Sequence, residues 1–197
     1  LELSRRVKTI SRMTFSGCRN LKAIKFNENL KEIGYEAFYN CVSLEEAIIP
    51  TALCELFDGA FMDCRNLKKV NLPPLKVLPK NLFKGCVSLE EIVIPEGVKI
   101  IGDGAFLRCE SIKKIVLPES MTKIGQGAFR CCSSLESVII SSKVKVESRT
   151  FCNCGHSLTF YTPDGNKTDI DFFDIKDTVL IGITKDIKEV VVPEGIT

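Results

Sequence analysis

The stretch Ile101-Gly-Asp-Gly-Ala-Phe-Leu-Arg-Cys-Glu-Ser-Ile-Lys-Lys-Ile-Val-Leu-Pro118 decides how this chain folds. Ile124 through Ile140 match it nearly position for position. Working outward, its Phe-x-x-Cys pair recurs as Phe15/Cys18, Phe38/Cys41, Phe61/Cys64, Phe83/Cys86, Phe106/Cys109, Phe129/Cys132 and Phe151/Cys154. Successive phenylalanines stand 23, 23, 22, 23, 23 and 22 residues apart. A fixed period of this size marks stacked supersecondary units, each burying an apolar face that it cannot cover alone.

Within one unit, Leu89-Glu-Glu-Ile92-Val-Ile94-Pro95 alternates apolar and polar around β-branched residues and reads as a short strand. Pro95 has no N–H and ends the pairing; Pro50, Pro73, Pro118, Pro163 and Pro193 are equivalent stops. Val98 and Ile101 then form a second inward-facing segment. Gly102 allows a tight bend, and Ala105-Phe106 are expected to start a helical turn that carries Cys109 inward. Strands stacked ~4.8 Å apart would give a parallel sheet roughly 35 Å across for eight strands.

The pattern I-G-x-x-A-F-x-x-C-x-S-L-x-x-I-x-I-P resembles the BspA-like leucine-rich repeat, over about residues 7 to 163 with a weaker echo beyond. The resemblance implies a repeat solenoid of leucine-rich-repeat type. A parallel β-sheet would line one face, with short helical turns and short second strands on the other. It also implies a setting in large surface or secreted proteins of gut and oral bacteria and of some parasitic protists, several of them adhesins for host proteins or other bacteria. A cell-surface or secreted location, and a protein or glycan ligand of host origin, are what the resemblance implies for this chain.

Seven repeats are expected over 1–163, an irregular insertion or degenerate repeat over 164–186, and the start of a further truncated repeat over 187–197. The first unit departs from the pattern at Met13, Thr14 and Asn27, the last at Ser148 to Thr150 and at Ser157. Phe172 and Phe173 stand near the Phe position with no Cys after them, and Val179-Leu-Ile181 could add a strand. The pattern restarts at Ile187 and stops mid-coil at Ile196, as in a piece of a longer array. The chain begins at Leu1, and no charged stretch with an apolar core follows, so no signal peptide is expected within it.

Ten cysteines stand out in the composition, and seven of them occupy the one repeated position. Ligands one repeat apart would line a ladder and not a tetrahedron, which disfavours metal. Stacked side chains pointing the same way cannot pair as disulfides, so these residues are expected to be small buried hydrophobes. Cys54, Cys131 and Cys152 lie off the ladder; Cys131 and Cys152 fall on adjacent coils, where a bridge and free thiols are both open readings.

Catalytic constellations are not expected. There is no Gly-x-Ser-x-Gly, phosphate loop or dinucleotide-binding motif, and Gly102-Asp-Gly104 and Gly125-Gln-Gly127 recur with the repeat and serve its turn. The single histidine, His156, is near Cys154, but a nucleophile on the buried ladder would be inert. No cofactor is expected. The 27 Lys and Arg against 25 Asp and Glu leave a formal +2, which makes no case for nucleic acid. No run approaches the roughly 18 apolar residues of a membrane span. Asn166-Lys-Thr168 fits the N-glycosylation pattern, relevant only in an exported eukaryotic protein.

If Ile92 and Ile94 point inward, two columns of residues point out of the sheet. One reads Ala23, Glu46, Lys69, Glu91, Lys114, Ser137, Thr159, Glu189, whose alternating charges suit cross-strand pairing on a solvated face. The other reads Lys25, Ile48, Asn71, Val93, Val116, Ile139, Tyr161, Val191. Here Ile48, Asn71, Val93, Val116, Ile139 and Tyr161 are the candidate binding stripe, because contiguous exposed apolar residues mark interaction surfaces. The competing reading is strand propensity alone. The structural anchors are Phe38, Cys41, Phe61, Cys64, Phe83, Cys86, Phe106, Cys109, Phe129 and Cys132. The chain is expected to be a non-enzymatic binding module, and the resemblance implies that it is part of a bacterial cell-surface or secreted adhesion protein. An intracellular scaffold and a structural spacer are the alternatives.

Overall fold

The computed structural model describes residues 1–168; the expected truncated repeat over 187–197, Glu189, Val191 and the strand at Val179–Ile181 lie outside the described residues. Each full coil runs from a short strand through a turn to a second strand. In chain order these are β1 Thr9–Ile10, β2 Ala23–Ile24, β3 Glu32–Ile33, β4 Glu46–Ile48, β5 Glu55–Leu56, β6 Lys69–Asn71, β7 Val77–Leu78 and β8 Ile100–Ile101. Then follow β9 Lys114–Val116, β10 Lys123–Ile124, β11 Ser137–Ile139, β12 Lys145–Val146, β13 Thr159–Tyr161 and β14 Lys167–Thr168.

Two parallel faces result. The principal face stacks β2-β4-β6, extended onto the fourth coil by the parallel bridge Lys69↔Glu91, and then β9-β11-β13. The second face stacks β1-β3-β5 and then β7-β8-β10-β12. In the expected irregular segment, the described residues 164–168 turn back, and β14 pairs antiparallel with β13 through Tyr161↔Lys167.

The expected helical turns are not there: no helix occurs among the described residues. In the fifth coil the N–H groups of Ala105, Leu107 and Cys109 reach back three residues, to Gly102, Gly104 and Phe106. Those of Gly104, Phe106 and Arg108 instead cross to Gln126, Ala128 and Arg130 of the next coil. Left-handed residues enforce this alternation, with φ of 61° at Gly104 and 62° at Arg108. The same two positions are left-handed in all seven coils: Met13, Glu36, Gly59, Asn81, Gly104, Gly127 and Arg149, then Gly17, Asn40, Asp63, Gly85, Arg108, Cys131 and Asn153. A helix cannot propagate through such residues, so the turns become a third hydrogen-bonded column.

The core is a stack of repeated side chains. Phe15, Phe38, Phe61, Phe83, Phe106, Phe129 and Phe151 lie ring on ring at 5.1–5.8 Å, tilted by 1–25°. Phe160 meets Phe151 edge-on at 5.2 Å. Beside them Cys41, Cys64, Cys86, Cys109 and Cys132 are fully buried, whereas Cys18 in the first coil is exposed. The buried thiols are more than small hydrophobes. Each donates to the carbonyl of the Phe one coil back, as Cys109 Sγ does to Phe83 O at 3.2 Å and Cys132 Sγ to Phe106 O at 3.2 Å. A thiol here supplies both volume and a weak donor toward a buried carbonyl.

Gly102 and Gly125 serve close approach. A Cβ on Gly125 would lie 2.6 Å from Asp103 N, and one on Gly102 would lie 2.8 Å from Lys80 N. The residue at this point also continues the second face: Gly34, Phe57, Gly102, Gly125 and Glu147 donate to Ile10, Ile33, Leu78, Ile101 and Ile124 of the previous coil. Pro79 stands there in the fourth coil and has no N–H to offer Leu56 O, and Lys76 and Val77 donate no bond to Cys54 O either, so the ladder parts between β5 and β7. The gap is an open groove of ≈ 550 Å³ lined by Leu53, Cys54, Leu56, Phe57, Leu75 and Val77, among others.

Candidate functional site

On the principal face Ile24, Ala47, Val70, Ile92, Ile115, Val138 and Phe160 point inward and are buried. Period-two geometry therefore turns their neighbours outward. Parallel register sets Ile48 opposite Asn71, and Val116, Ile139 and Tyr161 in one row across three strands. Val93 lies two residues past Glu91, which bridges to Lys69. The six stripe residues are thus carried on consecutive coils, as the period requires.

Their environments differ. Val93 is 78% exposed, and Ile48 and Val116 are 50% exposed each. Ile139 and Tyr161 are half-buried, with Tyr161 beside the returning strand β14. Asn71 is turned along the sheet: its Nδ2 donates to Ile49 O at 2.8 Å and its Oδ1 accepts from Ile49 N–H at 2.6 Å. Both ends of that carboxamide are committed to a buried strand end, so Asn71 acts as a clamp in the middle of the stripe. The same type of device holds Asn27, where other units carry proline; its Nδ2 donates to Ser4 O and Val7 O at 2.9 Å.

The charged column keeps the expected register, with Ala23, Glu46 and Lys69 in one row and Lys114, Ser137 and Thr159 in another. Among the described residues of that column one ion pair forms, Lys69 to Glu46 at 3.8 Å, with both side chains largely in solvent. Such a pair adds little. Shorter ion pairs stand elsewhere: Lys25 with Glu2 at 3.0 Å beside the principal face, and on the second face Lys80 with Asp103 at 3.0 Å and Glu147 with Lys123 and Lys145 at 3.1 Å each. The hydrogen bond from Lys80 holds the Asp103 carboxyl below the usual carboxylate range, helped by the Gln126 N–H. Hydrogen bonds from Lys123 and Lys145 do the same for Glu147. Large exposed apolar side chains on the second face gather at the groove, at Val77 and at Tyr35, whose ring rests on Phe57 at 4.7 Å.

Among the described residues no nucleophilic pair is assembled around His156. Burial pushes the Cys154 thiol up to about 12, and its Sγ donates to Phe129 O at 3.1 Å, while His156 is exposed. Among the described residues no group of three or more His, Cys, Asp or Glu could hold a metal ion. No helix among them is long and apolar enough to cross a membrane.

The period makes the outward position of the column readable, whereas the clamps, the thiol hydrogen bonds and the groove are not. The column Gly17, Asn40, Asp63, Gly85, Arg108, Cys131, Asn153 carries a readable signal for its left-handed turn, because Gly, Asn and Asp predominate.

Comparison with known proteins agrees with this geometry. No curated protein matches the chain. A leucine-rich repeat protein from Bacteroides ovatus is 32% identical with a TM-score of 0.66, over 82% of this chain and 48% of that one. One from Eubacterium ventriosum is 26% identical with a TM-score of 0.75, over 85% and 45%. A leucine rich cell surface protein from Faecalibacterium prausnitzii, 24% identical with a TM-score of 0.64 over 84% and 43%, shares the fold. The chain therefore spans just under half the length of each. The model of the BspA type leucine rich repeat region matches in 6 copies, across residues 1–77 and 76–197. With both stretches matched, the chain belongs to the BspA-type leucine-rich repeat family.

Proposed function

We propose that this chain is a non-enzymatic binding module that engages a protein partner through its principal face, within a bacterial cell-surface or secreted adhesion protein. The observation that carries this reading is the row of exposed apolar side chains at Ile48, Val93 and Val116, continued by Ile139 and Tyr161. Solvent-facing apolar groups so aligned gain from being covered, at about 25 cal/mol per Å² of apolar area. A protein surface suits them better than a glycan, because Tyr161 is the stripe's single aromatic residue and is half-buried. The setting outside the cell follows from what the family resemblance implies, and one protein sharing the fold is a cell surface protein.

The test has two arms. Protease shaving of intact source cells should release these repeats without lysis; protection until lysis would sink the surface setting. The triple variant Val93→Arg, Val116→Arg, Ile139→Arg should lose partner binding by at least tenfold in surface plasmon resonance and keep its circular dichroism spectrum. Equal binding by the folded variant would assign the stripe to strand propensity and send the search to another face.

A further inference from the structure

The sixth and seventh coils carry a pair of thiols that neither the core nor the stripe uses. Cys131 and Cys152 are half-buried, on adjacent coils and off the buried ladder. The Cys131 N–H donates to Cys152 O at 2.8 Å. With standard backbone dimensions that bond keeps their Cα atoms within about 6.7 Å, inside the range a disulfide spans. Both sulfurs meet one carboxamide: Asn153 Nδ2 donates to Cys131 Sγ at 3.9 Å, and Cys152 Sγ donates to Asn153 Oδ1 at 3.8 Å. They therefore sit on the same side of the turn column.

The neighbouring thiols are poor rivals. Cys132 is buried and donates to Phe106 O at 3.2 Å, and Cys154 donates to Phe129 O at 3.1 Å. The exposed Cys18 and Cys54 lie on coils far from this pair. No metal cluster competes for the sulfurs among the described residues.

We propose that Cys131 and Cys152 are a redox-sensitive staple that closes to a disulfide when a low-molecular-weight disulfide is present and opens when thiols prevail. The Cys131 thiolate attacks one sulfur of the external disulfide, forming a mixed disulfide and releasing one external thiolate. The Cys152 thiolate then attacks the Cys131 sulfur, forming the internal bond and releasing the second. Two cysteines lose two electrons, one external disulfide is reduced to two thiols, and the two cysteine protons pass through solvent to the released thiolates. Closure moves the Asn153 carboxamide from between the sulfurs. The bond ties the sixth coil to the seventh, the coils that carry Ile139 and Tyr161. This inference stands independently of the binding reading.

The test incubates the purified chain in oxidised and reduced glutathione, blocks free thiols with N-ethylmaleimide and digests with trypsin. Cleavage after Arg130, Lys143, Arg149 and Lys167 separates Cys131 from Cys152. A cross-linked pair of peptides 131–143 and 150–167 is expected, with fragment ions placing the bond at Cys131 and Cys152. It should vanish in Cys131→Ser and in Cys152→Ser, and the urea midpoint of the oxidised chain should exceed that of the reduced chain only in the wild type. Separate glutathione adducts on both cysteines, or a bond mapped to Cys132 and Cys154, would overturn the proposal.

Discussion

Single residues govern how closely the coils approach and how each turn bends. Arg108 stands at φ 62°, where a residue with a Cβ is strained and two other coils carry glycine. Its contact with Glu110 is exposed and weak, at 3.5 Å. Arg108→Gly is therefore expected to stabilise the fold by about 0.5–1 kcal/mol, read as a higher urea midpoint. An unchanged midpoint would mean the turn is relaxed with arginine in place. Gly125→Ala should act in the opposite sense, by about 1–3 kcal/mol, because the added methyl meets backbone that cannot retreat. Asp103 sets a pH dependence. Its folded pKa is depressed, so its stabilising effect is present above the ordinary value of about 3.9 and is lost as pH falls through the lower folded value. Asp103→Asn should lower the urea midpoint slightly at pH 7 and converge with the wild type in strong acid. A gap of the same size at both pH values would contradict that assignment.

At the scale of strands and turns, stability comes from closing backbone polar groups across coils. Asn71 closes two of them at the buried end of β4. Asn71→Ala should cost about 1–3 kcal/mol, since it leaves the Ile49 N–H and C=O unpaired in a dry site. Calorimetry on that variant, beside the stripe variants, separates the clamp from the binding surface. If Asn71→Ala kept full stability and lost binding, the residue would belong to the binding site after all. The opening between β5 and β7 falls where Pro79 removes one ladder donor and where Lys76 and Val77 make no bond to Cys54 O, so this coil differs from its repeats in backbone pairing.

Across the described residues the coils form one continuous core, and thiol accessibility should report on it. Burial pushes the Cys86, Cys109 and Cys132 thiols up, so they are protonated and shielded at neutral pH. In native chain, iodoacetamide should label the exposed Cys18 and Cys54 first, and Cys86, Cys109 and Cys132 only when the stack opens. Mass spectrometry across a urea series should show these three appearing together. Labelling of Cys86 well before Cys132 would show that the array opens in separate blocks.

The fold was legible in the chain because one period repeats the same contact. A Phe-x-x-Cys pair every 22 or 23 residues can be satisfied in only one way, by stacking, and alternation around Ile92 and Ile94 settled which side chains face out. Position in the period therefore located the stripe. What it could not settle depends on neighbours in space. A helical turn and a ladder of left-handed turns share the same apolar spacing, and the choice was made by hydrogen bonds to the next coil. Asn71 looks like an exposed polar residue until the strand end beside it is seen. That Pro79 withholds a ladder bond is visible only once Leu56 O is seen to be the carbonyl its missing N–H would have met. The sequence by itself determined the repeat, the core and the outward columns, since these follow from local periodicity. Tertiary structure alone decided which polar groups meet between coils, because those partners stand a full repeat apart and are chosen by the stacking distance.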